Sequence, residues 1–381
     1  MAILEFRAGI RSYLYREISY QWITDRLVGK DDSAAVAAKR VMKYVHEQLS
    51  PIPGEEIIDK TSWNDLVRGV GWCDQADWTT ATLLAKKGVA AKMAMMRNDI
   101  GSSPHTLLLV KHHGAWRVYD PLLGFAFRRS PSMLPVTLTE LSRDSSIIDQ
   151  QPRLQQIEKD IRENRIAWYR SMFPAEGSKA PEVWESLLDK KNASISRRLV
   201  NQGIRLGISW FGAGLANSVQ DYYLARLGPT LASLTEIDGS VTRPRRFAVR
   251  ERPDLLWFYK ARNYHLYGRV RLARKAYVEI VQNYPRSEMA PRARLFWGIL
   301  EVKQGDSNRG RRLLSEFIDN NPSSGWKPVA HYYLGRAAEF LRDEVEAIKY
   351  YSLASPLYSD APERISAMMQ ARNPSLTSND Q

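Results

Sequence analysis

Six positions in the C-terminal third recur twice at a separation of 37 residues, and this recurrence limits the fold more than any other feature of the chain. Ala261, Tyr264, Ala273, Tyr277, Ile280 and Pro285 return as Gly298, Glu301, Gly310, Leu314, Phe317 and Pro322, then as Gly335, Ala338, Ala347, Tyr351, Ala354 and Ser359. Small residues mark where two helices must touch closely, large ones fill the groove between them, and proline ends the second helix of a unit. A unit of that length cannot bury its apolar face alone, so three in succession predict an all-α solenoid over residues 249–360. Residues 361–381 then read as a C-terminal tail.

At 381 residues the chain exceeds one typical domain. The formal net charge of +13 is uneven: residues 241–312 hold 18 Lys and Arg against 6 Asp and Glu. Such a stretch is either a solvated Arg-rich face or a contact for an anionic polymer, an anionic lipid surface or an acidic peptide. Nucleic acid is not favoured, because Trp257, Tyr264 and Trp297 occupy repeat core positions and are not free to stack on bases. A single cysteine excludes an internal disulfide and leaves the compartment open. The N-terminal run MAILEFRAGIRSYLYREI lacks the apolar core and cleavage site expected of a signal peptide. No window approaches the roughly 20 apolar residues needed to span a bilayer.

Residues 10–50 read as helix, with Val36, Arg40, Tyr44 and Gln48 on one stripe and Val41, Val45 and Leu49 on another; Ser50–Gly54 breaks it. A helix is predicted from Asp74 to Lys87, with Ala76, Thr79, Thr80, Leu83 and Leu84 inward and Gly88 as its stop. Strands are predicted over Ala90–Met96, Thr106–Lys111 and Trp116–Tyr119, with a turn at His113-Gly114. One helix feeding antiparallel strands is an α+β signature for residues 1–145. Residues 146–248 read as a helical connection. Within it, Val200, Ile204, Ile208, Phe211, Leu215, Val219 and Tyr222 repeat at helical spacing beside Trp210, a pattern suited to packing on its own protein or to peripheral membrane contact.

Cys73 directly precedes a helix, His105 opens a strand and Asp120 ends the next one. A thiol at a helix N-terminus beside an imidazole becomes nucleophilic, and a carboxylate can fix the imidazole tautomer. Asp74 and Asp77 place two further carboxylates near the sulfur, and charged there they would oppose that activation. A tetrahedral intermediate also needs donors for its oxyanion. The Cys73 N–H is one, and Trp63 or Gln75 is a candidate side-chain donor. His112 and His113 read as surface residues of a turn, while His46, His265 and His331 lack ligand-like partners. No metal site and no cofactor is expected.

The run Gly71-Trp72-Cys73-Asp74-Gln75-Ala76, then His105 32 residues and Asp120 47 residues after the cysteine, resembles the nucleophile helix and strand ends of the transglutaminase-like, papain-type thiol superfamily. That resemblance covers about residues 33–125 and implies Cys73 as nucleophile, His105 as general base and Asp120 as orienting carboxylate. The 37-residue units resemble tetratricopeptide repeats of bacterial envelope-assembly proteins, which implies a protein partner on the repeats. Together the two resemblances imply acyl transfer on a peptide or glutamine amide through a Cys73 thioester, with hydrolysis favoured over cross-linking. The alternative they imply is a catalytically silent scaffold in envelope or exopolysaccharide assembly. They also imply an envelope or periplasm-facing location, whereas the N-terminus as given reads as cytoplasmic.

Overall fold

The computed structural model describes residues 2–55, 61–96, 103–157, 159–172, 182–184, 195–226, 252–356 and 358–372, without the side chains of 2–11, 182–184, 195–201 and 225–226. The protein is mostly helical with a small antiparallel sheet, an α+β arrangement. Helices α1 (Ala2–Leu27), α2 (Ala34–Gln48), α3 (Ser62–Arg68) and α4 (Cys73–Lys86) come first. Strands β1 (Ala91–Met96), β2 (His105–His112), β3 (Ala115–Asp120) and β4 (Phe125–Ala126) follow. With the short β5 (Glu182–Trp184) they form one sheet in the order β4-β3-β2-β1-β5.

The helix read across residues 10–50 is two helices, because Gly29-Lys30-Asp31-Asp32-Ser33 offers the backbone local partners that compete with helix continuation. The Gly29 N–H donates to Asp32 Oδ2 at 2.6 Å, and Ser33 Oγ caps α2 by accepting from the Val36 N–H. On α2 the stripe of Val41, Val45 and Leu49 is buried, while Val36 faces outward at 38% exposure. On α4 all five expected inward positions are buried, against α1, α2 and the sheet. The β2–β3 turn uses two residues with positive φ, His113 at 48° and Gly114 at 76°, the conformation that matches the twist of a tight hairpin. His112, expected on the surface, is buried at the strand end, with Nε2 2.8 Å from the Tyr119 hydroxyl.

Four short helices lead away from the sheet: α5 (Leu138–Arg143), α6 (Ser146–Asp149), α7 (Pro152–Gln155) and α8 (Lys159–Arg170). The long α9 (Ile195–Arg226) runs along α1. Three helix pairs then succeed one another: α10 (Pro253–Tyr267) with α11 (Val270–Asn283), α12 (Met289–Lys303) with α13 (Ser307–Asn320), and α14 (Lys327–Phe340) with α15 (Glu344–Ser352). Residues 361–372, read as the start of a tail, form α16 (Ala361–Arg372) against α15.

The 37-residue period is visible in the backbone. Each pair turns on a left-handed residue at the same register, Gly268 at φ 76°, Gly305 at 89° and Arg342 at 59°. The next residue caps the second helix; Asp306 and Asp343 do so through their carboxylates, while Arg269 makes no side-chain cap. The close contacts fall where small and large residues alternate: a Cβ on Gly298 would meet Leu314 at 2.8 Å, and one on Gly335 would meet Tyr351 at 2.5 Å. Arg342 carries a Cβ in a conformation that glycine adopts without cost. Arg342→Gly should therefore raise unfolding free energy by about 0.5–1 kcal/mol. Urea denaturation reads this directly, and a loss of stability would mean that the arginine side chain holds the turn.

The first helix pair is built into the N-terminal unit. Buried Arg262 on α10 donates from Nε to the Val67 carbonyl at 2.8 Å and from Nη2 to the Leu66 carbonyl at 2.9 Å. These oxygens end α3, where the last carbonyls of a helix lack intrahelical partners. The same guanidinium lies 3.8 Å from the Phe296 ring centroid. The Tyr15 hydroxyl donates to Asn263 Oδ1 at 2.7 Å, and Tyr15 stacks on Tyr223 of α9 at 4.1 Å.

Those contacts also alter the reading of the basic stretch. Its residues 241–251 lie outside the described ones. Of the rest, Arg262 is buried, Arg269 pairs with Asp221, Arg274 with Glu301 and Arg292 with Glu55. Much of the charge excess seen in sequence is thus committed to internal pairing. Arg271, Lys275, Arg286 and Arg312 are exposed.

Candidate active site

The three residues singled out as a triad lie together. Cys73 is the first residue of α4, whose entry is fixed by the Trp72 N–H donating to Gln75 Oε1 at 2.9 Å. Leu108 pairs with Tyr119 across β2 and β3, which sets Leu107 opposite Asp120. His105, two residues earlier, is therefore the diagonal neighbour of Asp120 on one face, within reach of a ring. His105 Nε2 is 2.7 Å from Asp120 Oδ2, and the imidazole lines the same cleft as Cys73. With Nε2 on the carboxylate, Nδ1 is the nitrogen left for the sulfur. Cys73 is half-buried and opens into a cleft of about 480 Å³ bordered by Trp72, Pro104, Asn164 and Trp168.

Asp120 is wholly buried, yet three donors meet it: His105, the Tyr169 hydroxyl, and the Leu123 N–H at 3.0 Å. Burial pushes its carboxyl pKa up, and the imidazole together with these hydrogen bonds outweighs burial, so the net shift is downward. For His105, burial pulls the pKa down, but the Asp120 carboxylate more than reverses this, with a smaller contribution from Cys73, and holds it at about 9. The imidazole is consequently cationic at neutral pH. Tyr169 stays a donor because burial and the adjacent Asp120 raise its pKa well above the usual phenol value.

Asp77 lies one helical turn beyond Cys73 and is fully buried, with no hydrogen-bond partner on either carboxyl oxygen. Burial, then the proximity of Asp120, Cys73 and Asp74, raises its pKa well above the usual range. The sequence reading treated Asp77 as a charge opposing the thiol; burial disfavours that charge and so weakens the opposition. A folded-state pKa above the unfolded one gives stability that is complete below the unfolded value and lost as pH rises towards the folded one. Stability should thus fall from about pH 4 upward by as much as about 1.4 kcal/mol per pH unit while Asp77 stays protonated. His105 adds a second decline between about 6.5, its unfolded value, and about 9. Asp77→Asn should remove the first slope and retain the second in urea titrations at pH 5, 7 and 9. Equal slopes in both proteins would mean that Asp77 is charged in the fold.

The two candidate oxyanion side chains are placed elsewhere. Trp63 is fully buried between Tyr15 and Tyr20, with ring centroids at 5.9 and 5.6 Å, and does not border the cleft. Gln75 is buried, and its carboxamide oxygen holds the helix entry. The Cys73 N–H remains, one of the four that an α-helix cannot satisfy internally.

Helix α8 supplies what the sequence reading missed. Trp168 covers the His105 ring at 4.8 Å, Tyr169 binds Asp120, and Arg165 lies 4.5 Å over the Trp168 ring. The available signal was an adjacent aromatic pair on an otherwise charged helix.

Behind the triad, the turn after Asp120 is buttressed by His46, assigned no partner from sequence. Its Nδ1 lies 2.9 Å from the Leu122 carbonyl oxygen, to which it donates, and its Nε2 accepts from Arg153 Nη2 at 3.1 Å. Burial and the neighbouring Arg153 lower its pKa to about 3, so it stays neutral. Arg153 Nε lies 3.4 Å from Glu363 on α16, which links the Asp120 turn to the last helix. Beside this relay is a cavity of about 980 Å³ between α2, the β3–β4 turn, α14 and α16, and Tyr358 borders both it and the thiol cleft. Among the described residues no group of three or more His, Cys, Asp or Glu is placed to hold a metal ion.

Comparison of the chain with protein-family models, with curated proteins and with solved structures finds no match. What the site can do therefore rests on its own geometry.

Proposed function

We propose that the protein is a transglutaminase-like thiol enzyme that transfers an acyl group from a peptide or glutamine amide to Cys73, with repeats of tetratricopeptide type recruiting a protein partner. The observation carrying this reading is that Cys73, at the start of a helix, shares a cleft with the His105 imidazole, which is itself held by Asp120. In the proposed reaction the sulfur attacks the amide carbonyl and the Cys73 N–H receives the oxyanion. His105 passes a proton to the leaving amine, and water then cleaves the thioester. Hydrolysis is preferred to cross-linking by analogy alone.

p-Nitrophenyl acetate is a suitable probe, since its acyl group would appear on Cys73 as a mass increment. Acetylation confined to Cys73, lost in Cys73→Ala and accelerated in turnover by hydroxylamine, is the expected result. Acetylation no faster than that of a free thiol would overturn the reading. It would then favour a silent scaffold in envelope or exopolysaccharide assembly. One observation already favours that alternative: neither Trp63 nor Gln75 reaches the cleft to complete an oxyanion hole.

A further inference from the structure

Helix α9 presents two faces of opposite character. Ile208, Ala216, Gln220, Tyr223 and Leu224 are buried, and Gln220 Nε2 donates to the Asn263 carbonyl at 3.2 Å. This face is fixed on α1 and α10. The other face carries Leu206 at 47% exposure, Trp210 at 75% and Phe211 at 67%. Trp210 is the most exposed large apolar side chain among the described residues. The helix kinks directly after Phe211 at Gly212, whose φ is 51°, and a Cβ at Gly203, Gly212 or Gly214 would meet no atom within 4 Å. An exposed aromatic pair thus sits at the kink of a helix whose opposite face is anchored.

The charge flanking this knee in the sequence has one sign. Between Asp189 and Asp221 the chain holds Lys190, Lys191, Arg197, Arg198 and Arg205, and no carboxylate side chain. Arg205 is exposed beside Leu206. Tryptophan and phenylalanine favour the interface between headgroups and acyl chains, and basic residues flanking them add attraction to anionic lipid. No helix among the described residues is long and apolar enough to cross a membrane.

We infer that the α9 knee is a membrane-docking wedge for an anionic phospholipid surface, in which Leu206, Trp210 and Phe211 enter the headgroup boundary and Arg205 meets lipid phosphates. The inference is independent of the proposed chemistry at Cys73.

Flotation of the full chain with vesicles of phosphatidylglycerol and phosphatidylcholine tests it. The protein should float with anionic vesicles and much less with pure phosphatidylcholine, and added salt should weaken binding. Trp210→Ala with Phe211→Ala should lower the fraction bound by at least about tenfold without shifting thermal unfolding, since both side chains are exposed. Arg205→Glu should weaken binding to anionic vesicles only. Failure of the parent protein to float, or equal flotation of the double variant, overturns the proposal. So does a dimer seen by light scattering that the double variant abolishes, because the knee would then bind a second copy.

Discussion

Alkylation of Cys73 by iodoacetamide at pH 6 should slow by roughly 30- to 300-fold when His105 is replaced by alanine. An ordinary thiol with a pKa of about 8.5 is only about 0.3% thiolate at that pH. An imidazolium beside a sulfur favours the thiolate, and the lower nucleophilicity of a stabilised thiolate offsets part of that gain. The cationic state of His105, with its pKa near 9, rests on Asp120. Asp120→Asn should therefore produce an intermediate slowing. Tyr169→Phe removes one of three donors to Asp120 and should act in the same direction more weakly. Identical rates in parent and His105→Ala proteins would show that sulfur and imidazole are not coupled, whatever their proximity.

Arg274→Ala should destabilise the protein by about 3 kcal/mol. Glu301 is fully buried on α12, and Arg274 on α11 grips it with two hydrogen bonds of 2.6 Å. Without the guanidinium, a buried carboxylate keeps only Trp297 Nε1 at 2.6 Å and the more distant Arg309 at 3.9 Å. Broken buried pairs cost about 3–5 kcal/mol, and the remaining partners place this one at the low end. Glu301→Gln should cost less, because the carboxamide still accepts from Trp297. A loss below about 1 kcal/mol for Arg274→Ala would mean that water or Arg309 replaces the pair. Reversal of Arg274 is accordingly a stability lesion rather than a probe of surface charge.

The elements that sequence made legible are those whose code is local and periodic. The five inward positions of α4, the two-residue turn at His113-Gly114 and the 37-residue register needed only spacing, and even Arg342 falls where glycine stands in the other two pairs. Cys73, His105 and Asp120 were readable because helix start, strand start and strand end fix their direction. The closing helix was not. Trp168 and Tyr169 approach His105 and Asp120 from about 50 residues further on, on a helix whose surface is mostly charged, so no periodicity marked it. Gln75 misled for a different reason: a glutamine two residues from a nucleophile serves equally as a helix cap, and only geometry separates the two roles. The ionisation of Asp77 was likewise invisible, because it follows from burial contributed by remote residues.

The Arg262 bridge has a consequence for how the protein is made. The carbonyls of Leu66 and Val67 await a donor that lies 196 and 195 residues later in the chain. At a synthesis rate of about 5–20 residues per second, the thiol-bearing segment emerges from the ribosome roughly ten to forty seconds before its own helix end can be closed. During that interval Trp63, Leu66 and Val67, all buried in the finished molecule, have no covering helix α10. Cys73 is thus synthesised early, and the helix end that precedes it is closed only once Arg262 has been made.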